Sequence, residues 1–284
     1  MKRAIKLLLV YIAIQMVCQI VVSVISFIPR VSEMVSSGKT SPAEITKILT
    51  TDNGSMMGVL GFTLLLSGVL MAWFLVHEKY VTFSLKTFKE VSGRVMLMSL
   101  PFIIGVLLTC NLVTECLNLP DVTGDTFVKM SHSVWGFLSI AVMAPVVEEL
   151  LFRGAILGHL LRQGRSPRMA IFLSALLFGI MHFNPVQSFF AFFLGLAFGW
   201  LYYRTGSVAP GIVAHAINNT VCALLMVFDT EHAHMTVQEQ YGTVAFYILL
   251  AVALICFVVG YVMLRKELSV PPTFVEDEAV VEEA

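Results

Sequence analysis

Apolar residues in this chain fall in long unbroken stretches, separated by short polar breaks, and not in the alternating or one-faced patterns of a soluble fold. A helix needs about 20 mostly apolar residues to cross a bilayer. Eight stretches approach or exceed that length: 4–28, 56–76, 95–116, 134–161, 169–183, 186–203, 207–228 and 243–264. The pattern predicts an all-α, polytopic membrane bundle of about eight transmembrane helices in contact with membrane lipid. The first stretch follows Met1-Lys2-Arg3, as a signal peptide would. Its apolar run is too long for a signal core, and no small-residue cleavage site follows, so it reads as a retained span.

The basic residues then orient the bundle. Lys2, Arg3 and Lys6 precede the first span; Lys79, Lys86, Lys89 and Arg94 follow the second; Arg162, Arg165 and Arg168 follow the fourth. Arg204 follows the sixth span, and Arg265 and Lys266 follow the eighth. The alternate loops hold only Arg30, Lys39, Lys47 and Lys129. By the positive-inside rule both termini are expected in the cytoplasm, and a bacterial cytoplasmic membrane is the expected location. The chain divides into three N-terminal spans (1–133), a central core (134–228), an outer loop with the last span (229–266) and an acidic tail (267–284) expected to be disordered. In the first outer loop, Ser41-Pro42-Ala43-Glu44 has the look of a helix start. The loop 78–94 mixes lysines with aromatic and aliphatic residues, and reads equally as a connection or as a segment in the headgroup layer.

Composition agrees with this class. The chain is 57% hydrophobic and 13% charged, against about 45–50% and 25% for soluble proteins. A net charge of −1 gives no footing for nucleic acid. The five cysteines lie in or beside apolar stretches without metal-ligand spacing, and read as small buried hydrophobes.

Charged and polar groups inside the spans carry the chemical information, because each costs about 2.5–3.5 kcal/mol near the bilayer centre. They concentrate on three segments: Glu148, Glu149 and Arg153 on the fourth span, His182 near the far end of the fifth, and His215, Asn218 and Asn219 on the seventh. Glu149 and Arg153 are four apart and share a helical face, the better order for an ion pair. Glu148 points about 100° away and is left as the free carboxylate. Pro145 removes a backbone hydrogen bond just before them. At 1.5 Å per residue, Glu148 and His182 each lie about 21 Å in from their basic loops, and His215 to Asn219 roughly 12–18 Å in. Overlapping depth on three helices predicts one shared site inside the bundle.

At these residues the sequence resembles the CAAX-protease and bacteriocin-processing (CPBP) family of intramembrane proteases. An EExxxR motif stands as Glu148-Glu149-Leu-Leu-Phe-Arg153, FxxxH as Phe178-Gly-Ile-Met-His182, and HxxxN as His215-Ala-Ile-Asn-Asn219. The resemblance covers about residues 134–228. It implies hydrolysis of a peptide bond in a protein or peptide substrate, with Glu148, Glu149, His182, His215 and Asn219 as the catalytic set and Arg153 and Phe178 supporting it. Two versions of the chemistry are open. In one, Glu148 activates water directly, and His215 and Asn219 hydrogen-bond the oxyanion. In the other, Glu148, His182 and His215 hold a catalytic zinc ion, and Glu149 becomes the base. Rival readings are a non-catalytic scaffold or bacteriocin-immunity protein of the same fold, and a transporter, for which no internal repeat is found. Gly195 and Gly199 form a GxxxG contact face, Asn218 reads as packing, and His232 and His234 read as solvated loop residues.

Overall fold

The computed structural model describes residues 1–36, 41, 53–84, 87–88, 91–229 and 235–274, without the side chains of 30, 31, 33–35 and 53–55. All of the start proposed at Ser41 to Glu44 except Ser41 itself, Lys86 and Lys89, His232 and His234, and the tail from 275 lie outside the described residues. Among the described residues every regular element is a helix: α1 (Lys2–Ser36), α2 (Asn53–His77), α3 (Gly93–Cys116), α4 (Gly124–Ser131), α5 (Val134–Arg162), α6 (Pro167–Ile180), α7 (Pro185–Thr205), α8 (Ala209–Phe228) and α9 (Val237–Glu267). Seven of these, all but α4 and α6, are long and apolar enough to cross a membrane.

The segment expected as the fifth span differs. Its helix, α6, starts at Pro167, where Ser166 caps Met169 N–H and the proline takes a first-turn position. It stops after 14 residues, about 21 Å against a hydrocarbon core of about 30 Å. Two local features end it. Phe183 takes a positive φ of 50°, and Asn184 is extended (φ −133°, ψ 119°), as the residue before Pro185 must be. His182 therefore lies in a turn beyond the helix, not on its last turn. The chain reverses there and α7 runs back along α6. Gly195 and Gly199 allow this, because a Cβ on Gly195 would sit 2.9 Å from Ala175 Cα and one on Gly199 3.1 Å from Ile171.

The core forms around the middle of α5. Leu150, Leu151, Phe152, Ile156, Leu157 and Leu160 are buried there among residues of α1, α2, α6 and α7. A second cluster joins Phe102 and Ile103 of α3 to Phe198 and Leu201 of α7. Helices α3 and α9 make the most extensive pair. A Cβ on Gly105 would lie 2.2 Å from Phe257 N, and one on Gly260 2.2 Å from Phe102 N, so the two backbones touch through missing side chains. The outward faces keep Leu9, Ile20, Ile25, Val244, Ile255 and Val258 exposed, far more apolar surface than water tolerates and suited to lipid.

Helix α5 is not uniform. Residues Ser139–Met143 and Glu149–Leu157 are π-helical. Ala144 N–H reaches back five residues to Ser139 O, and Gly158 N–H to Arg153 O. Such wide turns are rare and gather at functional sites. Beyond α9, the largely exposed residues 268–274 are attached at two points. Arg204 donates to the Leu268 carbonyl, and the Phe274 ring lies on Tyr202 and Tyr203.

Gly105→Val or Gly260→Val should force α3 and α9 apart and destabilise the fold by about 1–3 kcal/mol or more. Gly93→Ala, where nothing lies within 4 Å of the added carbon, should be neutral. Thermal unfolding in detergent checks both.

Candidate active site

The α5 π-turn that begins at Glu149 carries the charged centre of the molecule. Glu149 and Arg153 are buried (0% and 1% exposed), and Arg153 Nη1 lies 2.8 Å from Glu149 Oε1. The contact is one of close opposite charge, not an aligned hydrogen bond: among the described residues no nitrogen of Arg153 and neither oxygen of Glu149 has a well-directed partner. Aromatic faces complete the setting. The guanidinium carbon stands 4.3 Å from the Phe178 ring centroid and 5.5 Å from that of Phe198, a favourable cation–π arrangement in a dry site.

His215 on α8 lies between the two glutamates. Its Nδ1 is 3.5 Å from Glu149 Oε1 and its Nε2 3.8 Å from Glu148 Oε2. The approach depends on Gly211, one turn earlier. A Cβ at that position would come within 2.5 Å of Glu149 Oε2. The sequence reading missed Gly211; a glycine four residues before the histidine was the available signal. The side chain of Glu148 is 18% exposed, so it is the glutamate open to a cavity.

Phe178 joins the second motif to this centre. Its ring meets His182 edge-on at 5.0 Å and His215 at 6.0 Å. His182 Nδ1 stands 2.9 Å from the Phe178 carbonyl. A carbonyl only accepts, so Nδ1 carries the proton, and in the neutral ring Nε2 is left as an acceptor. Asn184, two residues on, is fully buried. It donates to Asp121 Oδ1 (2.8 Å) and Thr123 Oγ1 (2.7 Å), fastening the turn that carries His182 to the start of α4. Sequence reasoning passed over this clamp because its partners are more than 60 residues apart.

Asn219 has a backbone partner. Its Nδ2 donates to the Ile140 carbonyl at 3.0 Å. That carbonyl is available for a local reason. Ala144 N–H has gone to Ser139 O, and the next residue, Pro145, has no N–H to give. Asn218 donates in turn to Asn219 Oδ1 at 3.1 Å, so it orients its neighbour as well as filling space. The second N–H of the Asn219 amide is unused by these bonds.

These groups meet in a cavity of about 340 Å³ that Glu148, His182, His215, Asn218 and Asn219 share with apolar residues such as Phe127 and Met226. An adjoining chamber of about 240 Å³ includes Glu148, Phe178 and His182 again. Tyr11 and Gln15 of α1 border both. They too escaped the sequence reading, which took the first span as a plain apolar segment. Among the described residues no three His, Cys, Asp or Glu side chains converge to hold a metal ion. The three donors the zinc version names, Glu148, His182 and His215, line one cavity but are not gathered around a single point in this arrangement.

Comparison with known proteins falls on the same stretch. Residues 130–221 match the family described as Type II CAAX prenyl endopeptidase Rce1-like. The chain is also similar to the uncharacterized protein YyaK of Bacillus subtilis (strain 168), with 35% identity over 123 residues, 39% of this chain. The chain spans about two fifths (40%) of the length of that relative. No solved structure matches.

Arg153→Met should leave Glu149 as a buried, uncompensated charge and cost about 3–5 kcal/mol. Gly211→Ala, which drives a methyl into the same carboxylate, should destabilise by about 1–3 kcal/mol. Chemical unfolding in detergent, with Gly93→Ala as a reference for an exposed glycine of ordinary backbone conformation, measures the ranking.

Proposed function

We propose that this chain, which carries a domain of the CAAX endopeptidase family over part of its length, is an intramembrane endopeptidase of the CAAX-processing type. The observation that carries the reading is the convergence of Glu148 on α5, His182 in the turn after α6 and His215 on α8 on one cavity whose remaining wall is largely apolar. A carboxylate with two imidazoles in a shielded pocket is an expensive arrangement inside a membrane bundle, and such cost usually marks function.

In the proposed reaction a water molecule lies between Glu148 and His182. Glu148 takes a proton from the water as its oxygen bonds to the substrate carbonyl carbon. His182 Nε2, an acceptor, holds the other hydrogen and fixes the attack line. The carbonyl oxygen becomes an oxyanion, stabilised by N–H donors of His215 and Asn219. Glu148 then passes its proton to the amine nitrogen as the C–N bond breaks, leaving a carboxylic acid that gives up its proton to water and a free amine. Glu149 and Arg153 take no part in proton transfer; they hold His215 and the α5 turn in place. No step passes through a metal ion. The proposed catalytic unit is the core 134–228. The substrate is a membrane-associated protein or peptide; the Lys and Arg distribution supports both termini inside, and the similarity to a Bacillus subtilis protein supports a bacterial cytoplasmic membrane.

Glu148→Gln should reduce cleavage by roughly a hundredfold or more while leaving abundance and unfolding temperature unchanged, since this side chain is not part of the buried ion pair. Quantitative comparison of C-terminal and membrane-peptide fragments between cells with the native and the variant chain tests it. An identical fragment profile rejects the peptidase reading. Cleavage by the purified chain should also survive dialysis against a chelator, and loss restored by zinc would reinstate the metal version.

A further inference from the structure

The first helix is the least buried of the seven long helices, yet it carries a regular polar row. Tyr11, Gln15, Gln19 and Ser23 follow one another at intervals of four residues in an otherwise apolar segment. The row lies at the margin of the packed face. Cys18 and Val22, one position before Gln19 and Ser23, are buried, whereas Met16, Val17, Ile20 and Val21 are exposed on the apolar side. Its inner end is at the site, for Tyr11 and Gln15 line both chambers beside Glu148 and His182. Its outer end, Ser23, borders an apolar groove with Val24, Phe27 and Ile28.

Tyr11 and Gln15 are neighbours one turn apart on the row, and Gln19 Nε2 donates to Ser23 Oγ at 2.9 Å. Capacity remains. Gln19 has a second amide N–H and its carbonyl, and Ser23 has its own hydroxyl hydrogen. A polar row at the edge of lipid is costly unless it serves something polar. A substrate segment that leaves the bilayer for Glu148 has such a need, because a peptide must be unwound at the bond to be cut. Each unwound N–H and C=O then needs a partner within the membrane. The spacing suits this use. Four residues of helix rise about 6 Å, and two residues of extended peptide span about 6.6–6.8 Å. Successive side chains of the row thus meet every second peptide group of an extended chain.

We propose that the Tyr11–Gln15–Gln19–Ser23 row is a docking rail for the extended backbone of the substrate segment, leading it from the lipid face to Glu148. The occupant is named on the strength of the peptidase reading, but the test does not require cleavage. The full chain and its Glu148→Gln form, each in phosphatidylcholine vesicles, are titrated with two fluorescent leucine–alanine peptides of about 20 residues. One is an uninterrupted helix, and the other has a central Asn-Pro-Gly that opens it. Both proteins should bind the opened peptide more tightly. Gln15→Leu/Gln19→Leu should weaken that binding about tenfold, the equivalent of two ordinary hydrogen bonds, without changing affinity for the uninterrupted peptide. Leucine suits a membrane helix, and an unchanged unfolding temperature identifies the loss as one of binding. Equal affinity of the native chain for the two peptides overturns the proposal. So does a double variant that binds both peptides as the native chain does and only slows cleavage, the behaviour of a water path. If Glu148→Gln left the cellular fragment profile unchanged, the peptidase reading would fall while the peptide-binding result stood.

Discussion

The arrangement of this molecule depends on a charge that cannot be left alone. Arg153 is buried on every side in the middle of α5, and the carboxylate of Glu149 is its counterweight. Neither charge would survive in an apolar interior without the other. Their pairing sets where α8 can lie, because Gly211 must pass close to the carboxylate, and His215 follows one turn later. It also sets Phe178, whose ring covers the guanidinium and whose backbone carbonyl holds His182. One ion pair thus positions both imidazoles, and Glu148, next in sequence, is left facing the cavity.

This division between a sealed pair and an open carboxylate was legible in the sequence, since charges in apolar stretches announce themselves and four-residue spacing sorts them. The histidines were legible as polar exceptions, and their convergence followed from depth. Other parts depended on signals that hydropathy does not carry. The end of α6 was decided by backbone conformation at Phe183 and by Pro185, so His182 moved from a helix into a turn. Gly211 matters through an absent side chain. Tyr11 and Gln15 are only mildly polar, and an averaged hydropathy profile hides them. The role of Asn184 lies in contacts with Asp121 and Thr123, whose distance along the chain no local pattern spans.

The bundle is also uneven in how firmly it is held. Helices α3 and α9 are joined backbone to backbone through glycines, and α6 and α7 by a similar device. α5 is surrounded. By contrast α1 has long exposed stretches and packs chiefly against α2. The proposed catalytic set accordingly stands on elements with little freedom, as pre-organised chemistry requires, while α1, which borders both chambers through Tyr11 and Gln15, is the helix most lightly attached.

Pro145 contributes by lacking a proton. Its missing N–H leaves the Ile140 carbonyl available, and Asn219 fills it from another helix. The two helices are keyed together at that point, as a tab fits a slot. Sliding α8 along its axis by even one residue would empty the slot and leave that carbonyl without its partner. Longitudinal register, which greasy surfaces define poorly, is fixed here by a single absence in the main chain.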